Sequence, residues 1–204
     1  MTRESYQQSL DALHDEICEM GDLVVERLDA AVESLTTHDE ALARGVVDGD
    51  EAVNETYLDL EDRCIDLLAL QQPVASDLRL VAASFKILTD LERIGDLAVN
   101  LAGYALGADG DLTPSVAVDE IGRDAVALVE RSLTAYATED VEECWAIARR
   151  DDEIDALCAR ASETVARDLI EREADGTDPW AVEQLLDDVS GLLLTIRDLE
   201  RVAD

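Results

Sequence analysis

Apolar residues recur at steps of three and four along most of the chain, which is the spacing of helices that bury one face. Three segments interrupt this pattern: QQPVAS around Pro73, GADGDL at residues 107–112, and DGTDP at residues 175–179. Proline ends a helix and glycine favours turns, so each segment marks a break. The pattern predicts six helices, over residues 3–36, about 39–70, about 76–106, from 113, about 139–173 and 179–204.

Polar residues at the predicted helix starts indicate how the helices are capped. Thr37, with Glu40 three residues later, fits a capping box for the second helix. Thr113 and Pro114 fit the N-cap and first turn of the fourth helix, and Thr138 fits the N-cap of the fifth. The inward rows of the last two helices are expected to contain Cys144, Ile147, Ile154, Leu157, Ala161, Val165 and Leu169, then Val182, Leu185, Val189, Leu192 and Leu193.

The second half of the chain repeats the first. DLERIGD ending at Asp96 matches DLERVAD ending at Asp204 at five of seven positions, 108 residues apart. DEAVN from Asp50 matches DDEID from Asp151, 101 residues apart. A tandem duplication of a three-helix unit follows. We therefore predict an all-α fold of two three-helix bundles, residues 1–108 and 109–204, in which the last helix stops two turns short of its counterpart.

Composition and charge narrow the class of protein. Only 3% of residues are aromatic and three are proline, which fits long helices. The net charge of −33 and the single lysine, Lys86, favour a protein that works in concentrated salt, as in a halophilic archaeon, because salt screens self-repulsion. The lack of a basic stripe argues against nucleic-acid binding. The chain shows no signal peptide and no apolar run of membrane-spanning length, so a cytoplasmic protein is expected.

The cysteines and histidines suggest little chemistry. The four cysteines, Cys18, Cys64, Cys144 and Cys158, show no CxxC spacing, and none lies at ligand spacing for a thiolate zinc site, so we predict reduced thiols. His14 and His38 are expected at the surface. Because His14 adjoins an apolar row, a phosphotransfer histidine is conceivable there.

Oxygen-bearing side chains follow an apolar row in the third helix. Glu92, Asp96 and Asn100 lie four residues apart and continue the row of Val81 and Phe85, so we expect them to be buried. Buried carboxylates need a partner, and a bound cation is one solution. Each half holds two such pairs, four residues apart, that would offer oxygen ligands to Mg²⁺, Mn²⁺, iron or Zn²⁺: Asp50 and Asn54 with Glu92 and Asp96, then Asp151 and Asp155 with Glu200 and Asp204.

Acidic pairs at this spacing need not bind metal. About twelve of them are expected by chance in so acidic a chain, and most would be solvated. Glu92 and Asp96 could instead form ion pairs with Arg93 or Arg79. No phosphate-binding loop, nucleophile elbow or Ser/His/Asp set is present, although carboxylates alone can hold the metals of a phosphohydrolase.

The segments QQPVASDLRLV and LTDLERIGD, repeated weakly as DPWAVEQ and IRDLERVAD, resemble the PhoU family of phosphate-uptake regulators. The resemblance implies a cytoplasmic, non-catalytic and often dimeric regulator that represses phosphate uptake. Its partners would be the ATPase of a phosphate ABC transporter and a membrane sensor kinase. It also implies that the acidic pairs bind metal, although Asn54 replaces the expected carboxylate. An accessory subunit of a different phosphate permease is the alternative.

Overall fold

The computed structural model describes the backbone of residues 3–71, 75–107, 116–174 and 179–204. No strand occurs in these ranges. The helices are α1 (Arg3–Thr37), α2 (Glu40–Asp48), α3 (Asp50–Gln71), α4 (Ala75–Gly107), α5 (Val118–Thr138), α6 (Val141–Ala174) and α7 (Pro179–Ala203). The predicted all-α fold is confirmed.

The first bundle consists of α1, α3 and α4, which contact one another in every pair, with α2 lying on α1 and α4. Its core is formed by aliphatic residues from the apolar rows, and Ile17 and Val24 of α1 and Val81 of α4 are fully buried. The second bundle consists of α5, α6 and α7 in the same arrangement. The structure thus contains the two tandem three-helix bundles that the repeat predicts.

The predicted helix over residues 39–70 is wrong in one respect, because Gly49 divides it into α2 and α3. Gly49 has φ −91° and ψ 5°, and its N–H bonds to the Val47 carbonyl rather than continuing the helical ladder. Glycine is a poor helix former, so a break here is inexpensive. The guanidinium of Arg27 in α1 donates to the Val46 carbonyl at this break. A new helix then begins at Asp50, which places that side chain in the first turn of α3.

Aspartates cap the helices where threonines were predicted to do so. The Asp39 side chain accepts hydrogen bonds from the N–H groups of Ala41 and Leu42, so the capping box from Thr37 does not form. The Asp140 carboxylate likewise accepts from the Glu143 N–H, at the start of α6. In both places the threonine is the last residue of the preceding helix. The predicted cap at residues 113–114 lies outside the described residues.

The two bundles share part of their interior. One continuous apolar cluster contains Leu28 of α1, Leu101 of α4, Ile121 of α5 and Ile196 of α7. The helices α1 and α5 approach closely at Gly122, where an added Cβ would lie 2.6 Å from Cγ1 of Val32. A glycine is therefore needed at this crossing.

Among the residues of the last two helices that were expected to face inward and whose side chains the structure describes, two are exposed. They are Cys144, in the first turn of α6, and Leu193, which lies beside buried Leu192 on α7. The side chains of Val182 and Leu185 lie outside the described residues. His14, expected at the surface, is half-buried: its ring packs on Tyr136 of α5 with 4.7 Å between ring centroids. Within the described residues, no helix is long and apolar enough to cross a membrane.

Candidate functional site

The first acidic cluster forms where the start of α3 crosses the middle of α4. Val53 of α3 packs against Gly95 of α4, where an added Cβ would lie 3.1 Å from Cγ1 of Val53. This close approach holds the side chains that flank Val53 near those that flank Gly95. Two pairs thus face each other across the crossing: Asp50 and Asn54 from α3, and Glu92 and Asp96 from α4.

Electrostatics show that these side chains are close together. Burial, followed by the carboxylates of Asp96 and Asp50, raises the pKa of Glu92. Burial and then Asp50 raise the pKa of Asp96. The Asn54 amide donates a hydrogen bond of 2.9 Å to Asp50, so one oxygen of this pair already has a partner. In the described part of the chain, neither Arg93 nor Arg79 forms an ion pair with Glu92 or Asp96.

The prediction that the α4 acids continue a buried row is wrong. Val81 is buried, but Phe85 and Glu92 are half-buried, and Asp96 and Asn100 are exposed. Four residues turn a helix by about 400°, so a row at this spacing drifts by about 40° per step and leaves the interior. Asn100 lies beyond the crossing with α3, and its side chain makes no hydrogen bond within the described residues. The acids therefore lie along the rim of the core.

The second acidic cluster joins the middle of α6 to the end of α7. One carboxylate oxygen from each of Asp151, Asp155 and Asp204 lies within 4.8 Å of the other two. Oδ1 of Asp151 and Oδ1 of Asp155 are buried and have no hydrogen-bond partner in the described part of the protein. Burial, then Asp155, Asp204 and Asp152, raise the pKa of Asp151. Glu200 lies beside them, because burial and then the carboxylates of Asp155, Asp204 and Asp151 raise its pKa.

The second cluster fits a cation better than the first. Two oxygens of this cluster are buried without a hydrogen-bond donor among the described residues, and oxygens of all three aspartates lie within 4.8 Å of one another. The negative charges of these carboxylates repel one another unless a positive charge lies between them. Oxygen ligands of this kind suit hard or borderline cations. Asp151, Asp155 and Asp204, with Glu200 alongside, are the residues that could hold one. In the first cluster, Asp50, Glu92 and Asp96 offer carboxylates. Asn54 would bind through its amide oxygen, since its NH₂ group donates the hydrogen bond to Asp50.

The sequence prediction missed Cys158, which lies beside the second cluster. Cys158 is 1% exposed, one turn beyond Asp155. Burial, then Glu200, Asp155 and Asp204, raise the pKa of its thiol to about 12. The thiol is not among the ligand atoms that lie within 4.8 Å of one another, which are carboxylate oxygens of Asp151, Asp155 and Asp204, so the prediction that no cysteine lies at ligand spacing is not contradicted. The signal was the spacing, since Cys158 follows Asp155 by three residues and Asp151 by seven, which is one face of a helix.

Asp198 is a second residue that the pattern did not indicate. It is completely buried, it receives two hydrogen bonds from Arg197, at 3.0 and 2.8 Å, and it receives one of 2.8 Å from the Tyr104 hydroxyl. Tyr104 belongs to α4, so this carboxylate joins the two bundles. Its counterpart in the first repeat, Asp90, is exposed. The two copies thus use the same residue differently.

Comparison with known proteins identifies the family. The model of the PhoU domain matches the chain twice, over residues 17–105 and 118–204. The chain belongs to the PhoU family. The PhoU homologue of Clostridium acetobutylicum, a phosphate-specific transport system accessory protein, is 30% identical over 100% of this chain and 90% of its own length. The Escherichia coli accessory protein PhoU is 28% identical over 98% of this chain and 79% of its own length.

Solved PhoU structures share the fold. The crystal structure of PhoU from Pseudomonas aeruginosa superposes with a TM-score of 0.85, at 30% identity, over 98% of this chain and 92% of that one. The phosphate transport system regulatory protein PhoU from Streptococcus pneumoniae superposes with a TM-score of 0.78 at 24% identity, over 97% of this chain and 93% of that one, which bears on the fold alone. The resemblance drawn from the DLERIGD and DLERVAD segments is thereby confirmed.

Proposed function

We propose that this protein is an accessory regulator of a phosphate-specific transport system and that it lowers phosphate uptake by binding other proteins. The observation that carries the proposal is the match of both bundles to the PhoU domain. Phosphate-specific transport system accessory proteins also align with 98–100% of the chain. As finer steps, we propose a cytoplasmic protein whose partners are the ATPase subunit of a phosphate ABC transporter and a sensor kinase, and which forms a homodimer.

We propose further that metal ions bind the two acidic clusters. The partnerless buried oxygens of Asp151 and Asp155 support this for the second cluster. For the first cluster, support comes from the raised pKa values of Glu92 and Asp96, to both of which the Asp50 carboxylate contributes. The bound ion, of iron, zinc, magnesium or manganese type, supplies positive charge. The carboxylates of each bundle then hold two neighbouring helices together and keep the surface they form in one shape.

Exposed apolar side chains provide a surface for protein contacts. Val141 and Trp145 lie one turn apart at the start of α6 and are 67% and 66% exposed. A tryptophan this exposed on so acidic a protein is typical of interface anchors. We therefore propose one partner-binding surface at the start of α6, in the second bundle.

Affinity purification from the native cells tests the proposed function. A tagged chain should recover the ATPase of the phosphate ABC transporter, and Trp145→Ala should recover less of it, whereas Leu58→Ala on α3 serves as an exposed control. Recovery of a different phosphate permease in place of the ATPase would favour the alternative accessory role. We also expect no hydrolysis of a generic phosphoester with Mn²⁺; turnover abolished by Asp155→Asn would overturn the non-catalytic assignment.

A further inference from the structure

A cleft of about 280 Å³ lies between the two bundles, where α4, α5 and α7 meet. Its walls are mostly aliphatic, and they come from all three helices: Leu91, Ile94, Leu128, Val129, Leu133 and Val202. A molecule in this cleft would contact both copies of the repeat at once.

Two arginines from equivalent positions of the repeat line the cleft. Arg93 and Arg201 both belong to the DLER segments, 108 residues apart. Within the described residues, the Arg93 side chain makes no ion pair or hydrogen bond. Arg201 has one long ion pair, 3.6 Å from Asp198, whose carboxylate already accepts two hydrogen bonds from Arg197. Both guanidinium groups therefore have N–H donors that are available to a ligand.

The acidic residues of the cleft do not neutralise these donors. Asp204 lines the cleft, but its carboxylate lies within 4.8 Å of those of Asp151 and Asp155, as part of the second acidic cluster. Asp90 also lines the cleft and is exposed to solvent, where its charge is screened. The planar guanidinium group matches the geometry of phosphate and carboxylate oxygens, and apolar walls strengthen such bonds by lowering the local dielectric constant.

We propose that this cleft binds a small organic molecule that carries an oxyanion, a phosphate monoester or a carboxylate, on an apolar body. The arginines would hold the oxyanion, and the aliphatic walls would cover the body. The volume lies near the lower end of ligand pockets, roughly 300–1,000 Å³, so a single ring with its anionic group is the expected size. The proposal goes beyond the proposed function, because it requires neither a transporter nor a bound metal.

Titration calorimetry on the whole chain tests the proposal. The protein is first treated with a chelator, so that the anionic ligand cannot bind to a metal ion instead of the cleft. Phenyl phosphate, benzoate and inorganic phosphate are the probes, and the tighter of the two aromatic ligands identifies the anionic group. We expect saturable binding of at least one aromatic ligand. Arg93→Ala and Arg201→Ala should each weaken it by about tenfold or more, since each removes charged hydrogen bonds. Arg167→Ala, which removes an exposed arginine paired with Glu163 on α6, should leave it unchanged.

A second variant blocks the cleft without removing charge. Ser132 is exposed and lines the cleft, so Ser132→Phe should abolish binding while circular dichroism shows an unchanged helix content. The proposal fails if neither aromatic ligand saturates the wild-type chain, or if the three cleft variants bind as well as the wild type. It also fails if inorganic phosphate binds as tightly as phenyl phosphate, because the apolar walls would then contribute nothing.

Discussion

At the scale of single residues, the sequence predicted which acids come together but not how deeply they lie. The four-residue spacing and the repeat were enough to pair Asp151 with Asp155 and to relate that pair to Asp204. Depth depends on how far the row drifts around the helix and on which helices pack against it, which the spacing alone does not show. Asp96 is therefore exposed, whereas Asp198, which no pattern marked, is completely buried.

Removing the partnerless oxygens should remove metal from the second cluster. We expect Asp151→Asn with Asp155→Asn to lower metal affinity by more than the roughly 10–100-fold that outer-shell changes cause, because ligands themselves are lost. Elemental analysis of the purified chain and competition with a chromogenic chelator would measure this. Asp187→Asn with Asp188→Asn, which removes the same two charges from exposed positions on α7, is the control for net charge. Equal metal content in all variants would exclude these aspartates as ligands.

The raised pKa values predict how the metal-free protein responds to pH. Burial and neighbouring carboxylates raise the pKa of Asp151 and of Glu200. The folded state then binds protons more tightly than the unfolded state, so the free energy of unfolding falls as pH rises from the ordinary carboxyl pKa through the raised values. Urea unfolding with chelator present should show this fall, and Asp151→Asn with Glu200→Gln should make it shallower.

The matched control for this pH dependence is Asp187→Asn with Asp188→Asn, which removes the same charge from exposed positions of α7. Its profile should run parallel to that of the wild type. If both double variants flatten the profile equally, overall charge rather than the cluster explains the pH dependence.

At the scale of elements, periodicity predicted most helices to within a few residues, and local turn chemistry accounts for the failures. The apolar row resumes at Val53 in step with Val46, with only Asp50 between them on that row, so the row concealed the break at Gly49. Asp39 and Asp140 each follow by two residues a threonine that was predicted to be the N-cap. Both residue types cap helices well, so the residue at which the backbone turns into the helix decides which of the two is the cap. The rows also could not show that Cys144 and Leu193 are exposed, because burial depends on the packing of the other helices.

The crossing of α3 and α4 should be sensitive to the size of residue 95. Gly95→Leu should lower the free energy of unfolding by about 1–3 kcal/mol, as overpacking does, because Val53 leaves no room. The same variant should weaken metal binding at the first cluster by moving Asp50 away from Glu92. Chemical denaturation and metal titration measure the two effects.

Gly103→Leu is the control for Gly95→Leu on the same helix. Apart from the backbone of its own helix and its chain neighbours, no atom of the described residues lies within 4 Å of a Cβ placed at Gly103. Leucine is the better helix former by up to about 1 kcal/mol, so this variant should be neutral or stabilising. Similar losses at both positions would mean that the crossing is not tightly packed.

At the scale of the whole molecule, the repeat predicted two bundles but not how they join. We place the division between residues 108 and 109, yet one apolar cluster continues from α1 and α4 into α5 and α7. The contacts that join the two bundles involve residues whose surroundings differ between the two copies of the repeat. Gly122 accommodates Val32, and Tyr104 reaches Asp198, whereas the repeat alone would assign Asp198 the same exposure as Asp90.

The hydrogen bond between Tyr104 and Asp198 should stabilise the junction of the bundles. Tyr104→Phe should lower the free energy of unfolding by about 1.5–3 kcal/mol, because the bond is made to a buried charge. Tyr57→Phe, which removes a 3.1 Å bond to Glu61 within α3, should cost less. Urea denaturation compares the free energies of unfolding of the two variants. A larger loss of stability in Tyr57→Phe would contradict the prediction that the Tyr104 hydroxyl stabilises the junction.

The charge of the whole chain should make its stability depend on salt. With a net charge of −33, repulsion acts over about 30 Å at 0.01 M salt but only about 3 Å at 1 M. Helicity followed by circular dichroism should therefore fall on dialysis to low salt and return when sodium chloride is restored. Sucrose at equal osmolarity should restore less of the helicity, since it favours the compact state by exclusion from the surface but adds no ions that screen the charge. A chain that keeps its full helicity and its unfolding temperature at about 0.01 M salt would contradict the prediction that the protein is adapted to concentrated salt.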